Sequence, residues 1–199
     1  MRTRRSFITL LGGAAAAWPV AARGQQSAMP VVGFIGAGGS PTAANFAAFR
    51  KGLSEIGFVE GRNLAIVIRI TEQYDALPAL AAELVDLRVA VIYASGSSNA
   101  ALVAKAATAT IPIVFANGGD PVRAGLVASM NRPGGNVTGV TFITESLAAK
   151  RMELLRELTS QSGKIDLLVN PASVRAESDI AMMEAVARSD PGMAPCGTP

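Results

Sequence analysis

The sequence predicts a doubly wound α/β fold: one parallel sheet with helices on both faces, followed by the start of a second, incomplete α/β lobe. Three observations carry this. Short apolar runs rich in Val and Ile recur along the chain. Amphipathic stretches, with apolar residues three and four apart, separate them. Loops rich in Gly, Ser and Asn follow several of the apolar runs. Strands apolar on both sides belong to sheets covered on both faces, and strand-helix alternation makes such sheets parallel.

The first run, Val31-Val32-Gly33-Phe34-Ile35, stops at a Gly-rich loop ending in Ser40-Pro41, which reads as a buried strand and then a turn. Phe46, Phe49, Leu53 and Ile56 then repeat at helical spacing, and Gly57 supplies the C-terminal cap. A second strand is expected over 64–70. A helix carried by Leu77, Leu80, Leu84 and Leu87 follows, then a third strand over 89–94. The loop Ser95-Gly96-Ser97-Ser98-Asn99 leads into an Ala-rich helix over 100–108. The fourth strand covers 111–116. After it, Asp120 stands as an N-cap with Pro121 at the first helical place, predicting a short helix over 122–130. A turn through Pro133-Gly134-Gly135 leads to a fifth strand over 137–143. Residues 30–143 thus make one α/β lobe. The pattern restarts over 144–188, with a helix from about Glu145, a strand over 165–169 and a helix marked by Ile180, Met183 and Val186. The tail 189–199 has no periodicity.

Charge placement separates the first 24 residues from the rest. The chain of 199 residues has 18 basic and 15 acidic side chains, but Arg2, Arg4, Arg5 and Arg23 all lie in this leader. Without them, 14 basic residues face 15 acidic ones, so the remainder is near neutral. Thr3-Arg4-Arg5-Ser6-Phe7 is a twin-arginine pattern, and the uncharged stretch after it is too short to span a bilayer. Residues 1–24 therefore read as a twin-arginine signal peptide, cleaved before Gln25. The expectation is a soluble mature chain in a bacterial periplasm.

The composition also excludes chemistry. With no histidine and one cysteine, there is no Ser-His-Asp triad, Cys-His dyad, imidazole metal site or internal disulfide. The dinucleotide fingerprint fails because Pro41 stands where its third glycine belongs. Arg123, Arg132 and Arg151 are scattered without interleaved aromatics, so nucleic acid is not expected as a partner. No catalytic residue, cofactor or metal is assigned.

A small-molecule ligand remains. Open parallel sheets bind at the carboxyl ends of their strands, and the polar loops concentrate there. The candidates are Gly36 and Ser40, then Ser95, Ser97 and Ser98, then Asn117 and Asp120. Loop N–H groups ahead of helices favour a carboxylate or phosphate, the serine hydroxyls add hydrogen bonds, and Asp120 suits an ammonium group.

Several stretches together resemble a known family. They are 4–14, 30–35, Gly57-Phe58-Val59-Glu60-Gly61-Arg62-Asn63, 111–115, 119–122, 131–140 and Leu167-Leu168-Val169-Asn170-Pro171. Together they resemble the periplasmic substrate-binding proteins of ABC transporters, in the family that includes tryptophan- and other aromatic-amino-acid-type binding proteins. The resemblance implies two α/β lobes closing on a small polar metabolite such as an amino acid, which is delivered to an ABC permease in the inner membrane. It places the loop candidates along the first-lobe half of the cleft, Thr141 near the crossover and Asn170 at the edge of the second lobe. The likeness ends near Arg188, short of a complete second lobe. A truncated, non-functional fragment and a small-molecule enzyme on the same sheet are the alternative readings.

Overall fold

The computed structural model describes residues 29–38, 43–142, 144, 147–159 and 165–189. The expected leader, Ser40 and residues 190–199 of the expected tail lie outside the described residues.

Five parallel strands form one sheet: β1 (Val31–Ala37), β2 (Ala65–Thr71), β3 (Val91–Ser95), β4 (Ile113–Asn117) and β5 (Val137–Thr141). Helices α1 (Ala43–Glu55), α2 (Leu77–Asp86) and α3 (Ser98–Ala107) connect the first four strands. In space the order is β2-β1-β3-β4-β5. The chain steps outward from β1 to β2, then returns past β1 to β3. Strand order therefore reverses between β1 and β3, where a doubly wound sheet opens a crevice at its carboxyl edge.

The register assigns every side chain to a face. Ile35, Ile92, Ala94, Ile113 and Phe115 point to one side, where Leu77, Ala81 and Leu84 of α2 and Ala100, Ala101 and Ala104 of α3 cover them. Spacings of four and three put Leu77, Ala81 and Leu84 on one stripe of α2, and all three are fully buried. Burying each leucine is worth about 1.5–3 kcal/mol. The approach is close enough that a Cβ on Gly33 would lie 3.1 Å from both Leu84 methyl groups.

The opposite face carries Phe34, Tyr93, Ile66, Ile68, Val114 and Val140. Helix α1 covers part of it with Phe46 and Phe49, which meet Phe34 edge-on at 5.7 and 5.8 Å. Glycine ends α1 as expected. Gly57 sits at φ +92°, its N–H donates to the Ser54 carbonyl, and the Phe58 N–H donates to the Leu53 carbonyl at 2.9 Å.

Two expected elements do not form. Residues 122–130 make successive turns rather than a helix. Asp120 begins a turn, but Gly125 adopts φ +71°, a left-handed conformation that ends a helix after one turn. Ser129 then closes a separate turn, its hydroxyl accepting from the Arg132 N–H. Residues 165–169 adopt no regular secondary structure and pair with no strand, and Leu168 is 99 % exposed. An apolar run becomes a strand only where a ladder partner exists, and none of the described residues provides one. The two C-terminal helices do form: α4 (Ala148–Leu158) and α5 (Ala176–Ser189), which pack on each other.

Candidate functional site

The carboxyl ends of β1, β3 and β4 converge on a cleft of 430 Å³. Phe34, Phe49 and Tyr93 form its aromatic wall. Tyr93 stacks on Phe49 at 4.7 Å and 15°, and lies edge-on to Phe34 at 5.2 Å. Ser95, Gly96, Asn117 and Gly118 bring the strand ends, Asn45 and Ala48 the start of α1, and Phe142 the exit of β5. An aromatic wall beside a few polar groups suits a small ligand with one flat apolar part and one polar part.

Of the sequence candidates, Ser95 and Asn117 line this cleft. Asn117 is 2 % exposed, and neither its Oδ1 nor its Nδ2 has a hydrogen-bond partner among the described residues. Strand alternation puts this side chain on the Ile113 and Phe115 side of the sheet, so it is the Asn117 backbone that borders the cleft, and leaving the carboxamide unsatisfied costs about 1–3 kcal/mol. Gly36 lies beneath the turn, where a Cβ would come to 3.4 Å from the Ser95 carbonyl. Ser40 lies outside the described residues.

The remaining candidates hold loops in place. The Ser97 hydroxyl caps α3 by accepting from the Asn99 N–H at 3.2 Å, and Ser98 is buried beside it. Asp120 accepts from the Val122 and Arg123 N–H groups at 2.8 and 3.1 Å through one carboxylate oxygen. Its carboxylate is thus used as a turn cap and does not line the cleft. Thr141 donates to the Gly119 carbonyl at 2.7 Å, and Thr144 to the Gly118 carbonyl at 2.8 Å. These two threonines pin the loop after β4 from the far side. A Cβ on Gly118 would fall 2.7 Å from the Thr144 hydroxyl, so the close approach requires glycine. Asn170 is exposed, and its Oδ1 accepts from the Ala172 N–H at 3.0 Å.

Helical spacing alone assigns Phe46 and Phe49 to an apolar stripe, and the apolar run assigns Tyr93 to a buried strand, so neither points to an aromatic wall. The signal for it is that Phe34 and Tyr93 alternate out of phase with Ile35, Ile92 and Ala94, and so face the other side.

A larger groove of 600 Å³ runs between α1 and the β2 edge, lined by Phe46, Arg50, Phe58, Glu60, Leu64 and Ile66 among others. Its charges are already engaged: Arg50 pairs with Glu60 at 2.7 Å and lies 4.4 Å over the Phe46 ring. It lies away from the strand ends, so the smaller cleft is the candidate site. Lys150 is raised above the ordinary lysine value by its hydrogen bond to Glu153 at 2.8 Å, but it sits on exposed α4 and lines neither cavity. Among the described residues, no three acidic or cysteine side chains gather to hold a metal ion, and no helix is long and apolar enough to cross a membrane.

Comparison with known proteins agrees with this architecture. The model of the ABC transporter substrate binding protein family matches residues 38–190. The tyrosine-binding protein of Clostridioides difficile is 31% identical over 143 residues, covering 71% of this chain and 41% of that protein. A conserved domain protein from Vibrio cholerae superposes with a TM-score of 0.74 at 27% identity, over 83% of this chain and 55% of its own. An ABC domain from Streptococcus pneumonia, in complex with L-Trp, shares the fold with a TM-score of 0.71 at 22% identity, over 84% and 56%. The chain thus spans about half the length of the relatives it matches. Family model, relative and fold agree: the chain belongs to the ABC transporter substrate-binding protein family.

Proposed function

We propose that this chain is the ligand-capturing first lobe, with the start of a second, of the solute-binding component of an ABC importer. In this reading residues 30–143 are the first lobe and 144–188 begin the second. The protein works in the periplasm after twin-arginine export, binds without turnover and hands its ligand to a permease in the inner membrane. The observation that carries the reading is the cleft where strand order reverses, with Phe34, Phe49 and Tyr93 as an aromatic wall and Ser95 and Asn117 as polar groups. The ligand class is an amino acid or similar small polar metabolite. The Clostridioides difficile relative, a tyrosine-binding protein, makes an aromatic side chain the first to test. Its ring fits against Tyr93 and Phe49, and its polar end against Ser95 and Asn117.

Among the described residues the cleft has one developed wall, so a bound ligand keeps much of its surface in water. Binding by the 199-residue chain is expected at about the millimolar level, near −4 kcal/mol. Calorimetric titration with L-tyrosine, L-tryptophan and small organic acids tests this, with Tyr93→Ala and Ser95→Ala alongside. Both variants are expected to abolish measurable binding, while Asp120→Ala leaves most of it. Micromolar binding indifferent to Tyr93→Ala and Ser95→Ala would overturn the site assignment.

A further inference from the structure

One contact joins the first α/β unit to the C-terminal helices in an unusual way. Asn99, in the first turn of α3, donates from Nδ2 to the Ala172 carbonyl at 3.1 Å and accepts at Oδ1 from the Val174 N–H at 3.2 Å. Those two backbone groups flank Ser173 on one side of the chain. A single carboxamide therefore reads the loop as a neighbouring strand would, across more than seventy residues of sequence. Beside it, the Arg175 side chain lies over Gly119. A Cβ on Gly119 would stand 3.3 Å from Arg175 Cδ and Nη1, and 3.2 Å from the Ser98 hydroxyl.

Both partners are ordered before they meet. The Ser97 hydroxyl holds the Asn99 N–H, leaving the Asn99 carboxamide to reach outward. On the other side, Asn170 Oδ1 accepts from the Ala172 N–H, and the Ser173 hydroxyl accepts from the Arg175 N–H at 3.2 Å. Arg175 in turn donates to Asp179 at 3.0 Å, one turn into α5. A loop stiffened in this way loses little further freedom on docking, so two hydrogen bonds are enough to hold it.

We propose that Asn99 and Gly119 form a catch that fastens the 170–176 loop across the start of α3. The catch rests on the binding-protein reading only for its consequence. Gly119 follows Gly118, which lines the cleft, so in that reading the fastened loop stands at the edge of the cleft that holds the ligand.

Hydrogen exchange on the unliganded 199-residue chain tests the catch directly. Alanine suits a helix, so Asn99→Ala preserves α3 while removing both bonds. The Val174 amide is expected to exchange about five- to tenfold faster in this variant, with the amides of β3 and β4 unchanged. Asn99→Asp keeps the acceptor for Val174 but loses the donor to Ala172, and should fall between. Gly119→Ala, which leaves Asn99 intact and displaces Arg175, should also speed Val174. Val174 exchange equal in the parent, Asn99→Ala and Gly119→Ala overturns the catch. If Asn99→Ala loosens the core as well, Gly119→Ala and Asn99→Asp decide. A parallel L-tyrosine titration separates the two ideas. Absent binding with Val174 still protected defeats the ligand reading alone, and binding with unprotected Val174 defeats the catch alone.

Discussion

The two faces of the sheet are built from equally apolar strands and end up differently. Under α2 and α3, Ile35, Ile92, Ile113 and Phe115 are at most 2 % exposed. Across the same strands, Ile68 is 39 % and Val140 57 % exposed, and α1 has no fully buried residue among those whose side chains are described. Two Ala-rich or Leu-striped helices can lie close to the strands, whereas one helix with two phenylalanines props itself off them. The closed face holds the fold together. The open face leaves room for a cleft at its carboxyl end, where Tyr93 and Phe49 are half-buried and in reach of a ligand.

That contrast can be broken by substitution. Phe115→Ala removes a buried ring from the closed face, and a loss of about 3–5 kcal/mol is expected in urea unfolding. Phe49→Ala removes a ring from the half-open face; about 1–2 kcal/mol is expected, together with loss of ligand binding. Equal costs for the two would mean the faces contribute alike. Phe142 is 68 % exposed beside the cleft, so Phe142→Ser should change stability by no more than about 0.5 kcal/mol. A large stability loss there would show that the open face is better covered than its exposure indicates.

How much of this was legible in the sequence depends on whether the determinant is local. The five strands were legible because each is an apolar run bounded by turn residues, and α1, α2 and α3 because their stripes are regular. The order β2-β1-β3-β4-β5 was not, since no residue pattern states which neighbour a strand will choose. The helix expected at 122–130 rests on Asp120 as its N-cap and Pro121 at its first helical place. A good start signal does not register that Gly125 turns left-handed and ends the helix after one turn. The strand expected at 165–169 failed for the opposite reason, because pairing is a property of the neighbour and not of the run. The loops after β3 and β4 lie at the carboxyl edge of the sheet, as the apolar runs before them imply. The division of labour inside them was not legible: that Asp120 and Thr141 serve the loop backbone while Asn117 stays unsatisfied depends on distances set by the whole sheet.

Gly139 pairs in register with Phe115, and any side chain there would run into the Phe115 carbonyl and ring. This bears on how the last strand finds its address. β5 returns to the sheet after a turn-rich connection with no regular helix, so many offsets are open to it during assembly. A slip of one residue would turn Thr138 or Val140 toward the closed face, and a slip of two would drive Val137 or Thr141 into the Phe115 ring. Only the alignment that brings the one bare backbone position to Phe115 lets the strand seat. Phe115 and Gly139 thus fit as a lock and its blank, so that shape alone selects the native register of β5.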